Sequence, residues 1–383
     1  MKSKRVFNIK AFGAAGDGVT DDTAVIQRAL DDAESVEIPD GDYRITDTLK
    51  IPSHTTIKAS RNARLFLCGE TPKKRGDFLL SNADPTRGNE GIGISGGIWD
   101  GNNTGKYNVK ADLFDKNGYS GAVLNFSNVR NLSLGDMTLA NSAAFYIRMN
   151  RLDGFEISSV RFSSDELRPN QDGLHFCGNV CNGKIKDVTA LSNGQTNDDM
   201  IAFNADDSME RVENLDMSCG PIENVTVENV RAENCYTFFR LLSLTAPIRN
   251  IKISNVTGGC RVYAVNMDAA RYCRTPLFKE AEFPEGVGKI EDVTIENMYI
   301  WHTGTEKPHA LLLLESQAKN FRISGFSREF RLDTDLEIPS LMIRNVTHTS
   351  VSVRGAENRT SALKSKQETL KIEGDFSELQ IDE

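Results

Sequence analysis

Six short segments of this chain share one pattern of alternating apolar residues, a polar bend and one further apolar residue. They are Asn131-Leu-Ser-Leu-Gly-Asp-Met137, Gly154-Phe-Glu-Ile-Ser-Ser-Val160, Asn224-Val-Thr-Val-Glu-Asn-Val230, Asn250-Ile-Lys-Ile-Ser-Asn-Val256, Asp292-Val-Thr-Ile-Glu-Asn-Met298 and Asn320-Phe-Arg-Ile-Ser-Gly-Phe326. A period of two marks a strand that buries one face. Starts lie 23 residues apart between 131 and 154, 26 between 224 and 250, and 28 between 292 and 320. A strand in every unit, at irregular spacing in the twenties, predicts an all-β parallel solenoid rather than helical repeats. No coil of such a solenoid buries its apolar face alone, so coils stack about 4.8 Å apart and share one core. Asparagine recurs at matching places because it tolerates left-handed backbone and can hydrogen-bond along the stack. A β-sandwich would need two-residue Asn-Gly or Asp-Gly turns between strands, and few are present.

Before the repeats, Phe12-Gly-Ala-Ala-Gly-Asp-Gly-Val-Thr-Asp-Asp-Thr23 leads into Ala24-Val-Ile-Gln-Arg-Ala-Leu30. Glycines 13, 16 and 18 allow tight bends, Thr20 to Asp22 offer oxygens to cap a helix, and Val25, Ile26, Ala29 and Leu30 form its apolar stripe. A helix over about 21–33 is expected to cover the open first coil, whose strand edges and core would otherwise meet solvent. Val36-Glu-Ile-Pro-Asp-Gly-Asp-Tyr-Arg-Ile45 then reads as strand, turn and strand. The 383 residues could make two domains or one elongated repeat. The pattern predicts one β-helix domain over 1–383, with the cap and first strands at 1–50, stacked coils at 51–350 and a C-terminal segment at 351–383.

A formal charge of −9 without basic clustering after the first five residues argues against nucleic acid. The absence of a 20-residue apolar run argues against a membrane span. The N-terminus, Met1-Lys-Ser-Lys-Arg5, continues without the apolar core of a secretory leader, which sets the expectation of a cytoplasmic protein unless a leader has been removed. The seven cysteines (68, 177, 181, 219, 235, 260 and 273) have neither the count of a disulfide framework nor the spacing of a zinc site, and are expected to be small buried hydrophobes.

Two acidic clusters stand one coil apart: Arg168-Pro-Asn-Gln-Asp-Gly-Leu-His-Phe176 and Thr196-Asn-Asp-Asp-Met-Ile-Ala-Phe203. With 26 residues between Asp172 and Asp198, stacking brings Asp172, Asp198 and Asp199 onto one face. Carboxylates this close repel, so at least one is expected to keep its proton near neutral pH. A protonated acid beside an ionised base is what glycoside hydrolysis requires. Neighbours in a regular strand point to opposite faces, so Asp198-Asp199 must lie at a strand end or bend, and Asn193-Gly-Gln-Thr-Asn197 supplies one. The plainer alternative is that these aspartates cap turns or hold a structural cation.

These residues carry a resemblance to the pectin-lyase-like right-handed parallel β-helix superfamily, and within it to glycoside hydrolase family 28, the polygalacturonase group. Gly16-Asp-Gly-Val-Thr-Asp-Asp-Thr23 resembles the superfamily's N-terminal cap. Gly96-Gly-Ile-Trp-Asp-Gly101 resembles its Gly-x-Ile-Asp-Gly coil, and Asn141-Ser-Ala-Ala-Phe-Tyr-Ile-Arg148 its Asn-Ser-Pro-x-x-x-Ile-His strand. Pro169-Asn-Gln-Asp-Gly173 resembles Pro-Asn-Thr-Asp-Gly, and Asp198-Asp-Met-Ile-Ala202 resembles Asp-Asp-Cys-Ile-Ala. The likeness covers roughly residues 5 to 260. It implies an inverting hydrolase in which Asp198 protonates the leaving oxygen while Asp172 and Asp199 hold and activate water.

Two motifs depart from the pattern. Asp206-Asp-Ser208 and Ser218-Cys-Gly-Pro221 stand where the family has Gly-His-Gly. Phe239-Arg-Leu-Leu242 stands where an Arg-Ile-Lys grips a substrate carboxylate, so Arg240 is kept and Leu242 replaces the lysine. A missing charge-assisted contact of about 1.5–3 kcal/mol weakens the case for a galacturonate at that position. His175, Arg148, Asn204, Gln171 and Asn170 are candidate sugar contacts with Arg240, with His175 equally placed to be an exposed bystander. Asp206 and Asp207 are candidates for widening an acidic groove or binding a cation, though a hard-cation site needs more oxygen ligands than sequence shows. Residues 271–286 interrupt the repeat and read as a loop that could wall the groove.

The expected partner is therefore a poly- or oligosaccharide, with no cofactor or metal required. The rivals are a lyase or uronate epimerase on the same fold, or a non-catalytic glycan-binding β-helix.

Overall fold

The computed structural model describes residues 6–68, 72–206, 214–269, 287–306, 308–335 and 337–343, and backbone strands alone at intervals from 349 to 382. Among the described residues every strand pairing is parallel and in the order of the coils: Leu124–Gly135 pairs with Ile147–Ser163, which pairs with Val180–Ala190, then Ile222–Leu242, Ile248–Met267 and Ile290–His302. This is the predicted all-β solenoid. One column of the core shows how it is held. Val36, Ile57, Ile94, Leu134, Ile157, Ile185, Val227, Ile253, Ile295 and Ile323 are register partners from coil to coil. None is more than 2% exposed. Branched side chains stacked this way bury their faces against similar branched neighbours, at roughly 25 cal/mol for each Å² removed from water.

Two corners of the repeated coils adopt left-handed backbone, and the sequence places asparagine, aspartate or glycine at most of them, with Ser159 at φ +54° a departure. At the first corner φ is +57° for Asn131, +56° for Asn224, +53° for Asn250 and +60° for Asn320. At the second it is +54° for Asp136, +61° for Asn229, +58° for Asn255 and +57° for Asn297. Their amides also form ladders. Asn250 donates to Asn224 at 2.5 Å, Asn229 to Asp187 at 2.8 Å, Asn255 to Asn229 at 3.2 Å and Asn297 to Asn255 at 3.2 Å. Both uses of asparagine expected from the repeat are present.

The helix is Thr23–Asp32, shorter than the expected span, with Ile26, Ala29 and Leu30 in the common core. Before its start the Asp21 carboxylate accepts from Thr23 N at 3.0 Å, while Asp22, the N-cap residue, makes no side-chain bond to the helix. Asp22 instead accepts from Ala15 N at 2.6 Å and Gly16 N at 2.9 Å, fixing the preceding glycine bend. Gln27 reaches the strand Leu49–Ile51, which among the described residues has a strand partner only on its other side, at Leu80–Asn82. Its Oε1 accepts from Lys50 N at 2.8 Å and its Nε2 donates to Lys50 O at 3.0 Å. A side-chain amide thus satisfies a strand edge.

Of the cysteines, 68, 177, 235 and 260 are buried as expected, but Cys181 is half-buried and Cys219 exposed, a correction, because Cys181 takes an outward position on the strand Val180–Ala190 and Cys219 lies on the segment leading into the strand Ile222–Leu242; Cys273 lies outside the described residues. Among the described residues no helix is long and apolar enough to cross a membrane.

Coil stacking leaves no room for a side chain where one backbone crosses another. At Gly258 φ is +142° and an added Cβ would lie 1.6 Å from the carbonyl oxygen of Ala232. We expect Gly258→Ala to destabilise the protein by at least about 2 kcal/mol, against about 0.5–1.5 kcal/mol for Ile253→Val in the stacked column. Urea unfolding midpoints of the two variants check this.

Candidate active site

The bend before the acidic pair is held from three sides. Asn197 donates to Arg168 O at 2.8 Å and accepts from Arg261, Tyr236 N donates to Thr196 O at 2.8 Å, and Thr196 Oγ1 donates to Asp198 O at 2.9 Å. The strand Asp199–Asn204 starts immediately after it. Asp198 therefore stays on the bend, half-buried, while Asp199 enters the strand and is 3% exposed. Asp172 lies one coil earlier. Gly173 N donates to Asp199 O at 2.9 Å and Tyr146 N donates to Asp172 O at 2.8 Å, so the two acidic segments are adjacent rungs. The three aspartates are brought together as the spacing predicts.

Their electrostatics are unequal. Burial pushes the Asp199 carboxyl well above its ordinary value, and the charges of Asp198, Asp172 and Asp268 push the same way. Arg240 pulls against them, with Nη1 3.8 Å from Asp199 Oδ2. The same guanidinium makes a closer ion pair with Asp268, Nη2 to Oδ1 at 2.9 Å, and both partners are largely buried. Asp268 escaped the sequence reading. The signal was its place 28 residues after Arg240, within the range of coil spacings. Leu242, at the expected lysine position, is fully buried against Leu244, Ala269 and Val287, so that position has become apolar core.

One register column links the remaining candidates: Lys50, Ser81, Asn125, Arg148, His175, Ala202, Arg240 and Asn266 lie on successive coils. Three rungs of about 4.8 Å put Arg148 and Arg240 about 14 Å apart along the stack, on either side of the aspartates. His175 is no exposed bystander. It is 3% exposed, its Nδ1 lies 2.6 Å from Asp172 Oδ2, and its ring packs 4.6 Å from that of Phe145. Arg148 is 2% exposed, with Nε donating to Asn125 at 3.1 Å. Asn204 is buried, and its Oδ1 has no hydrogen-bond partner among the described residues. Half-buried Asn170, at φ +59°, borders a separate cavity of about 710 Å³ walled by residues 108–114.

Two expectations are corrected. Gln171 is fully buried, donates to Ser142 O at 3.0 Å and Glu166 O at 3.3 Å, and accepts from Arg168 N at 2.7 Å and Gln195 at 3.0 Å. Both amide hydrogens and both lone pairs are spent inside the protein, leaving nothing for a sugar. Asp206 neither widens the groove nor offers oxygens to a cation. Its carboxylate accepts from Leu244 N, Thr245 N and Ala246 N, each at 2.7 Å, and from Thr245 Oγ1, anchoring a turn. Asp207 and the loop at 271–286 lie outside the described residues.

Comparison with known proteins bears on this geometry. Over 297 residues the chain is 24% identical to a polygalacturonase of Prunus persica, covering 73% of this chain and 70% of that one. Over 96 residues it is 33% identical to the pre-neck appendage protein of Bacillus phage phi29, covering 25% of this chain and only 11% of the phage protein. The solved family 28 exopolygalacturonase of Yersinia enterocolitica shares the fold, with a TM-score of 0.56 at 16% identity over 99% of this chain and 78% of that one. Residues 6–261 match the model of a family described as rhamnogalacturonase A/epimerase, pectate lyase-like. The chain is thus a divergent member of that pectate-lyase-like family, with likeness to glycoside hydrolase family 28.

Proposed function

We propose that this protein is an inverting glycoside hydrolase acting on a plant or microbial polysaccharide or its oligosaccharides. The observation that carries the reading is the stack of three aspartates in which two are buried and one, Asp198, is half-exposed. Such a cluster cannot be fully ionised, and its proton belongs to the set rather than to one member. Burial weights that shared proton towards Asp199 at rest, and the proton passes within the set to Asp198, the member at the surface, which delivers it to the leaving oxygen. Asp172, hydrogen-bonded to His175, and Asp199, once relieved of the proton, orient and activate the attacking water. Likeness to a polygalacturonase over most of the chain supports a sugar polymer as substrate. The epimerase in the family's description favours a lyase or epimerase as the second reading.

Asp198→Asn is expected to lower turnover by about 10²–10⁴-fold with an unchanged melting temperature. Products from a panel of uronic-acid and neutral oligosaccharides, read as new reducing ends and by the anomer first released, check this. An ultraviolet-absorbing unsaturated product, or full activity in the variant, would sink the hydrolase reading.

Stability should carry the mark of the raised carboxyl. A folded-state value above the ordinary 3.8 means the native protein binds this proton more tightly than the unfolded chain. The resulting stability is complete below 3.8 and is lost as pH rises towards the folded-state value, at up to about 1.4 kcal/mol per pH unit. Asp199→Asn should therefore be more stable than the parent at neutral pH, with the gap closing in acid, as measured by denaturant titrations across pH.

A further inference from the structure

On the C-terminal side of the aspartates, the hydrogen-bonding capacity left over around Arg240 belongs to acceptors rather than cations. Asn266, the register partner of Arg240 on the next coil, is 5% exposed. Asn204, two residues beyond Ala202 and so on the same outward face, is 6% exposed. Among the described residues the Oδ1 of each is buried without a hydrogen-bond partner. The guanidinium between them is already engaged. Its Nη2 lies 2.9 Å from Asp268 Oδ1 and its Nη1 3.8 Å from Asp199 Oδ2, so both of its ends face carboxylates of the protein. The strongest charges felt at Asp199 are the three carboxylates of Asp198, Asp172 and Asp268 against this one guanidinium. Continuing the Arg240–Asn266 register by two residues sets Asp268 opposite Leu242, so a carboxylate stands one rung from the place where a cation was expected.

A sugar bearing a carboxylate meets two obstacles at this position. To reach Arg240 it would have to take the guanidinium from Asp268, whose side chain is only 6% exposed, and breaking a buried ion pair is strongly unfavourable. It would also enter beside the like charges of Asp172, Asp198 and Asp268. A carboxylate has, besides, no proton to give to the amide oxygens of Asn204 and Asn266, whereas a hydroxyl has one. We propose that the sugar unit seated at Arg240 is uncharged and donates hydroxyls to Asn204 and Asn266, with Asp268 the specificity-determining residue that withholds Arg240 from a substrate carboxylate. The proposal rests on reading the groove as a glycan site and goes beyond it by naming the class of sugar. Discrimination of this kind is steep, because a ligand without the matching proton leaves a buried acceptor unmet. The repulsive element, Asp268, and the attractive ones, the two asparagines, act in the same direction.

The test is titration calorimetry on full-length Asp198→Asn protein with pairs of trisaccharides that differ only in the reduction of each carboxylate to a hydroxymethyl group, in a galacturonate and a glucuronate series. In the series that fits, the neutral member should bind at least tenfold more tightly than the acid. Adding Asp268→Asn, which keeps the size of the side chain and an acceptor for Arg240, should narrow that ratio at least tenfold by tightening the acid, while Asp268→Glu should preserve it. Adding Asn266→Leu should weaken the neutral sugar at least fivefold. Tighter binding of the acids, failure of both neutral sugars to bind, or a ratio unchanged by Asp268→Asn at an unchanged melting temperature would overturn the proposal; the comparison of acid with neutral sugar needs no variant at Asp268 to decide it. Binding is read without turnover. A preference for the neutral sugar in a protein whose parent releases no product leaves this inference standing and removes the hydrolase reading, whereas release of products from the uronates in preference to the neutral sugars does the reverse.

Discussion

Parallel, in-register pairing between coils is the constraint on which everything else in this molecule depends. Once Leu134 stands over Ile94 and under Ile157, each later coil must present an apolar branch at the same place, because a one-residue slip would turn that whole face outward. The corners follow from the same requirement. Each coil has to turn at a fixed point in the stack, and left-handed asparagine and aspartate make that turn while bonding to the corner above or below.

The register that aligns the core also aligns the opposite face, where it gathers charge rather than hydrophobic surface. Aspartates from two adjacent coils meet there, and the stack gives them no means of moving apart. Burial and mutual repulsion then make a proton cheaper to keep than to lose at Asp199, with Arg240 shared between it and Asp268 as a partial counterweight. A few rungs away the same column carries Lys50 and Arg148, which make no ion pair among the described residues. A repeat that repeats its interior faithfully is free to vary its exterior coil by coil, and the groove is built from that variation.

Much of this was legible in the chain alone. The solenoid could be read from six matching segments, and the meeting of Asp172, Asp198 and Asp199 from a spacing of one coil. Other features were not. Gln171 sits in a motif that reads as substrate-facing, yet its amide is consumed by four partners drawn from 142, 166, 168 and 195. Asp206 reads as groove acidity but anchors a turn 38 to 40 residues away. Both are hydrogen-bonding outcomes that depend on which distant donors arrive, and no local pattern encodes them.

Alternation, corner residues and coil spacing determined the fold class and the neighbourhood of the acids, because each is a periodic property that adds up along the chain. Tertiary structure alone decided which polar groups are spent and which are left over. Among the described residues Asn204 Oδ1 and Arg148 Nη1 are buried without partners, while Gln171 spends both amide hydrogens and both lone pairs and the Asp206 carboxylate accepts four hydrogen bonds. That difference arises from desolvation and from donors on neighbouring coils, quantities that exist only once the coils have stacked.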